Sequence, residues 1–121
     1  MPRFVVLTHD HPVVHWDFLL EDSESARTWR LYRPPALHAT IPAESIAPHR
    51  LMYLDYEGPV SGERGSVARW DWGSFDWIDD ADGRLQVSLK GEILRGTATL
   101  VRVDASSSSN EWTFRLEETA H

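Results

Sequence analysis

Turn-forming residues interrupt this chain so often that no apolar stretch between them is long enough to build a helical core. Glycine, proline and small acidic or serine clusters recur from Asp10 to Asn110, and the runs between them alternate β-branched, aromatic and leucine residues with polar ones. Such alternation puts successive side chains on opposite faces of an extended strand, whereas a helix needs an apolar period of roughly 3.6 residues, which is almost absent here. Many short strands at close spacing predict an all-β fold: a compact, closed or partly closed β-barrel of about eight strands with short irregular or helical connections.

In chain order, a strand over residues 4–7 runs up to His9, and a second covers residues 13–21. Residues 22–26 form a hairpin loop, and residues 27–33 a strand stopped by Pro34-Pro35. Residues 36–48 make an irregular crossing in which residues 42–46, opened by Pro42, predict one turn of helix. Residues 49–58 are partly extended and end at Gly58-Pro59; residues 61–65 are a turn. Gly73 divides two consecutive short strands, residues 66–72 and 74–78. The acidic turn at residues 79–83 lacks the ligand spacing of a calcium loop. Strands follow over residues 84–90, 93–95, 97–103 and 111–116, with the serine-rich residues 104–110 as a surface loop and a frayed tail at the end.

A chain of 121 residues predicts one domain, residues 1–121, large enough to bury roughly two thirds of its unfolded surface in a single core. The absence of cysteine excludes disulfides and thiolate chemistry and agrees with a reducing cytoplasm. No apolar run approaches the roughly 20 residues that span a bilayer, so a soluble, monomeric, cytoplasmic protein without membrane partners is expected. The formal charge of −7 argues against a broad grip on a nucleic-acid backbone but leaves room for a small local contact. Lys90 is the only lysine, the other eleven positive charges being arginines. The six tryptophans are expected in the core or at a barrel rim rather than stacked on bases.

The densest chemistry lies in residues 8–18, which hold His9, His11 and His15 with Asp10 and Asp17. On a strand, His15 and Asp17 share a face and Val14, Trp16 and Phe18 take the other, toward a core. His9 ends the preceding strand, and Asp10-His11-Pro12 supplies turn chemistry that can bring it back beside His15. Two imidazoles and a carboxylate would then converge, a donor set shared by zinc, manganese and iron. Spacing alone leaves open a second reading, in which the histidines are surface groups bonded to the backbone around a tight turn.

The order Phe4-Val5-Val6, His9-Asp10, His15-Trp16-Asp17-Phe18-Leu19-Leu20-Glu21, Trp29, His49, Tyr53 and Asp55-Tyr56-Glu57-Gly58 resembles the 3′-phosphoesterase domain of bacterial DNA ligase D. Gly62-Glu63-Arg64-Gly65, Trp70-Asp71-Trp72-Gly73, residues 89–96, Leu100-Val101-Arg102 and residues 112–116 continue the likeness, which spans about residues 3–117. The resemblance implies a compact β-barrel with a groove, a bound manganese or similar divalent ion such as zinc, and trimming of 3′ ends. Such a domain removes a 3′-ribonucleoside and then the 3′-phosphate, leaving a hydroxyl for a polymerase or ligase. It implies that His9, His15 and Asp17 hold the metal, that His49 lies beside the scissile phosphate, and that Tyr53 contacts the phosphate or the metal's water.

Two positions depart from the family pattern. The residue two after the metal-binding aspartate, a phosphate-holding arginine in the family, is Leu19 here; a second such arginine, eight before the histidine matching His49, is Ile41. Arg33 and Arg50 are the candidate replacements for substrate binding, with Arg30 and Arg69 behind them. One expectation is therefore a metal-dependent phosphoesterase of nucleic-acid 3′ ends or another phosphoester, partnered by a separate ligase or polymerase chain. The alternative is a metal- or nucleic-acid-end-binding module that has lost turnover.

Overall fold

The computed structural model describes residues 1–104 and 109–119. Nine antiparallel strands follow one another: β1 (Arg3–His9), β2 (His15–Asp22), β3 (Ser25–Leu31), β4 (Thr40–Arg50), β5 (Gly58–Pro59), β6 (Ser66–Ala81), β7 (Arg84–Gly91), β8 (Arg95–Arg102) and β9 (Glu111–Glu117). Two meanders, β1 to β4 and β6 to β9, are joined along β4–β9 and again along β1–β6. The eight longer strands thus close into a barrel, and the two residues of β5 pair with β6 beside it. Closure leaves no strand of the ring with an unpaired edge, which suits a chain made of short alternating runs.

The alternation supplies two apolar layers. Inward residues such as Phe4, Phe18, Leu31, Phe75, Leu100 and Phe114 fill the barrel, with the rings of Phe18 and Phe114 5.3 Å apart and those of Trp29 and Trp112 5.7 Å apart. Outward residues Val5, Leu7, Leu19, Ala26 and Val67 form a second buried cluster. That cluster exists because the chain between β4 and β6 crosses over the outside of β1, β2 and β3. A 3₁₀ turn, Leu51–Leu54, lays Leu54 onto it, with Tyr53, Tyr56 and Val60 packed alongside.

Several boundaries differ from the sequence expectation. Residues 42–46 are not helical, because β4 runs straight through them, paired with β3 on one side and β9 on the other. The segment expected to be partly extended after His49 contains the 3₁₀ turn instead. Gly73 does not break β6. A Cβ there would lie 2.2 Å from the carbonyl oxygen of Lys90, so this glycine permits close approach of β7 rather than a turn. Asp79 and Asp80 belong to the same long strand, and the turn is confined to Asp82-Gly83. Strand β2 begins at His15, leaving Val13 and Val14 exposed in the loop. Of the tryptophans, Trp29 and Trp112 are buried, Trp16 and Trp70 pack against the core, and Trp72 and Trp77 are partly exposed. Residues 105–108 of the expected serine-rich loop and residues 120–121 of the tail lie outside the described residues. Among the described residues no helix is long and apolar enough to cross a membrane.

Candidate metal centre

Strands β1 and β2 pair with His9 opposite His15 and Leu7 opposite Asp17, so His9, His15 and Asp17 share the outer face of the hairpin. One ligand atom from each lies within 4.8 Å of the other two. His15 and Asp17 are each 1% exposed. The sequence expectation of a convergent trio is met in geometry; the third nearby histidine, His11, stays exposed at the mouth.

Backbone carbonyls set the ring tautomers. His9 Nε2 donates to the carbonyl of Arg64 at 2.8 Å, and His15 Nδ1 donates to the carbonyl of Val13 at 2.9 Å. The other nitrogen of each ring then carries a lone pair. His9 Nδ1 is 4.0 Å and His15 Nε2 3.5 Å from Asp17 Oδ2. His15 Nε2 and Asp17 Oδ1 are buried without hydrogen-bond partners. Acceptor atoms that converge with no proton between them repel one another, and a cation removes that cost. The donors therefore fit a first-row divalent ion, with the cleft side left open.

His49 enters through a β-bulge. Thr28 faces Ile46 but Ala26 faces His49, so β4 spends one residue more than β3 between these pairs, at Ala47-Pro48. The extra residue turns His49 onto the outer face, where a regular strand would have aimed it inward. Its Nε2 lies 3.8 Å from Asp17 Oδ2. Its Nδ1 lies 3.1 Å from Thr28 Oγ1, whose own proton goes to the carbonyl of Ala26, so Nδ1 is the donor. Burial pushes the His49 pKa below the usual histidine range, against the opposing pull of Asp17. Tyr53 packs edge-on to the His49 ring at 5.5 Å and in turn against Tyr56, whose hydroxyl is held by the carbonyl of Pro59.

These groups border a cleft of about 550 Å³. Its floor carries His9, Asp17 and Arg30, one wall His49, Arg50 and Tyr53, and the other Val60, Ser61 and Arg64. The second wall is the turn at residues 61–65, where Gly65 has φ +73° and a Cβ would lie 2.1 Å from Asp10 Oδ1. Only glycine lets this turn approach the β1–β2 loop while Asp10 accepts the Ser66 N–H at 2.8 Å.

The expected substrate-binding arginines separate. Arg50 is in the cleft, exposed at its rim. Arg33 is not: its guanidinium donates to the carbonyl of Thr40 and lines a different hollow, between β4 and β9. Arg69 stacks over the Trp72 ring at 4.6 Å and does not border the cleft. Leu19 is fully buried in the outer apolar cluster, and Ile41 is inside the barrel opposite Phe114. The bulge explains the latter, because eight residues before His49 the strand presents its inward face. Sequence reasoning missed the supporting contacts of Thr28 and of the Arg64 carbonyl, which no residue pattern marks; Arg30, placed behind Arg33 and Arg50 in the sequence reading, directly faces Asp17 across β2 and β3 and borders the cleft.

The family model described as the DNA ligase D 3′-phosphoesterase domain matches residues 7–102. The chain is also similar to the multifunctional non-homologous end joining protein LigD of Pseudomonas aeruginosa, 30% identical over 120 residues and 91% of this chain. It spans 14% of that relative's length.

Proposed function

This chain belongs to the DNA ligase D 3′-phosphoesterase domain family, and from that premise we propose that it is a divalent-metal-dependent phosphoesterase that heals the 3′ ends of DNA. The observation that carries the reading is the convergence of His9, His15 and Asp17, with His15 Nε2 and Asp17 Oδ1 buried and without hydrogen-bond partners, at an arginine-lined cleft that His9 and Asp17 border. Manganese is the ion proposed, with zinc as the other choice. When bound, it supplies Lewis-acid polarisation of a phosphoryl oxygen and an acidified water.

The protein's own groups do the rest. His9 and His15 are held in single tautomers by the Arg64 and Val13 carbonyls, which keeps their free nitrogens aimed at the site. His49 stands on the cleft wall with Nδ1–H fixed by Thr28, so Nε2 is the atom that exchanges a proton with substrate. The negative charge of an incoming phosphate favours the protonated ring, which can then hand its proton to the leaving oxygen. Tyr53, packed against His49, offers its phenol to a phosphoryl oxygen. The healed 3′-hydroxyl is the form that a polymerase or ligase uses, so an enzyme of that kind is the proposed partner. A binding module without turnover is the second reading, favoured by one observation: Leu19 presents buried hydrocarbon where the family pattern has a cationic clamp.

The test is to incubate manganese-loaded protein with primer–templates ending in a 3′-phosphate or a 3′-ribonucleotide. Conversion to a 3′-hydroxyl is expected, falling by roughly 100-fold or more in His15→Ala. No metal-dependent product from either substrate would leave only the binding-module reading. Titration calorimetry checks the ion separately: equal manganese uptake by wild type and Asp17→Ala would refute the site itself.

A further inference from the structure

Three arginines border the cleft, and they are not equivalent. Arg64 is already engaged, its Nε and a terminal nitrogen bonded to the carbonyl and hydroxyl of Ser61. Arg50 is exposed at the end of β4. Arg30 sits on β3 directly opposite Asp17, with its Nε buried and without a hydrogen-bond partner and 3.8 Å from Asp17 Oδ1. No hydrogen bond uses any of its donors within the described residues, although the side chain is only 29% exposed.

A guanidinium that served only to neutralise a carboxylate would close to about 2.7–2.9 Å and bond it through a fork. Arg30 and Asp17 stay apart instead, so both remain free to take other partners. Charge gives the same direction. With a divalent cation on Asp17, His9 and His15, the adjacent Arg30 leaves the floor with two net positive charges; Glu44, opposite Arg30 on β4, offsets part of this, and an entering anion offsets the rest. A terminal phosphomonoester dianion balances it. A cross-strand neighbour is also nearer to Asp17 than the next outward position on its own strand, which holds Leu19.

Building on the phosphoesterase reading, we propose that Arg30 is the substrate-binding guanidinium of this chain, a β3 fork that grips phosphoryl oxygens of a terminal phosphate beside the metal centre. The test titrates inorganic phosphate into manganese-loaded wild type, Arg30→Lys and Arg30→Ala, with manganese affinity measured separately. Arg30→Ala is expected to weaken phosphate binding by about 10- to 100-fold while manganese affinity changes by less than about threefold. Arg30→Lys keeps the stem and the charge, guards against misfolding as the explanation, and is expected to fall between the two because it lacks the fork. Absence of phosphate binding by wild type, an unchanged phosphate affinity in Arg30→Ala, full retention by Arg30→Lys, or an equal loss of manganese affinity would each overturn the proposal. Turnover separates it from the reading it builds on. Phosphate gripped through Arg30 without hydrolysis of any ester would remove the enzyme and keep the clamp, whereas brisk 3′-phosphate hydrolysis with an unchanged KM in Arg30→Ala would do the reverse.

Discussion

Asp17 is enclosed beside His15, yet its Oδ1 has no hydrogen-bond partner and its Oδ2 faces imidazole nitrogens 3.5–4.0 Å away. Without a cation, a buried carboxylate against lone pairs opposes folding, and the partly exposed Arg30 at 3.8 Å offsets only part of that. An asparagine amide is neutral and brings N–H donors that His15 Nε2 can accept. Metal-free Asp17→Asn is therefore expected to melt about 3–6 °C above metal-free wild type, equivalent to roughly 1 kcal/mol. Manganese should raise the Tm of wild type and leave the variant unmoved. Thermal scans with and without the ion check both; a variant that melts lower when metal-free would show that Asp17 is a structural anchor rather than a group strained for binding.

The barrel's elements carry a second buried carboxylate of the opposite kind. Asp71 on β6 faces inward, fully buried, and accepts the backbone N–H groups of Glu92, Ile93 and Leu94 at 2.8–3.0 Å, clamping the turn between β7 and β8. Asp71→Ala leaves those donors unpaired and should cost about 3 kcal/mol, read as a lower urea midpoint with the same slope. No loss of stability would mean the turn is held by other contacts. The contrast between the two aspartates marks what sequence could convey. Both lie in strand patterns, and only the company of His9 and His15, eight and two residues from Asp17 in sequence, pointed to chemistry. That trio was legible because period-two alternation and a short hairpin loop decide it locally. His49 was reached only through the family resemblance, since the bulge at Ala47-Pro48 reverses the face that alternation would assign. Pro42 and Pro48 hid β4, which is held by partners on both sides rather than by its own propensity, and the unbroken β6 was hidden by a glycine that serves packing.

Over the whole molecule, the formal charge of −7 opposes a polyanion, while Arg30, Arg50 and Arg64 gather around a single aspartate in the cleft. Several cations elsewhere are paired with exposed acids, as in Arg27–Asp80, Arg84–Asp79 and Lys90–Asp76, so those cations are not available to phosphates. For a chain that acts on 3′ ends as proposed, this arrangement predicts an end-specific grip, in which a 3′-terminal phosphate and its immediate neighbours would reach the cleft and flanking duplex would meet a surface that repels it. Affinity should then depend on the terminal phosphate and hardly on oligonucleotide length. Each phosphate neutralised contributes a slope of about −0.7 to −0.9 to the dependence of log affinity on log salt, so two or three contacts predict between about −1 and −3. Fluorescence anisotropy of manganese-loaded protein with labelled 3′-phosphate oligonucleotides of increasing length measures both quantities. A slope steeper than about −5, or affinity that climbs with each added turn of duplex, would require an interface of roughly six phosphates and would move recognition out of the cleft onto the barrel wall.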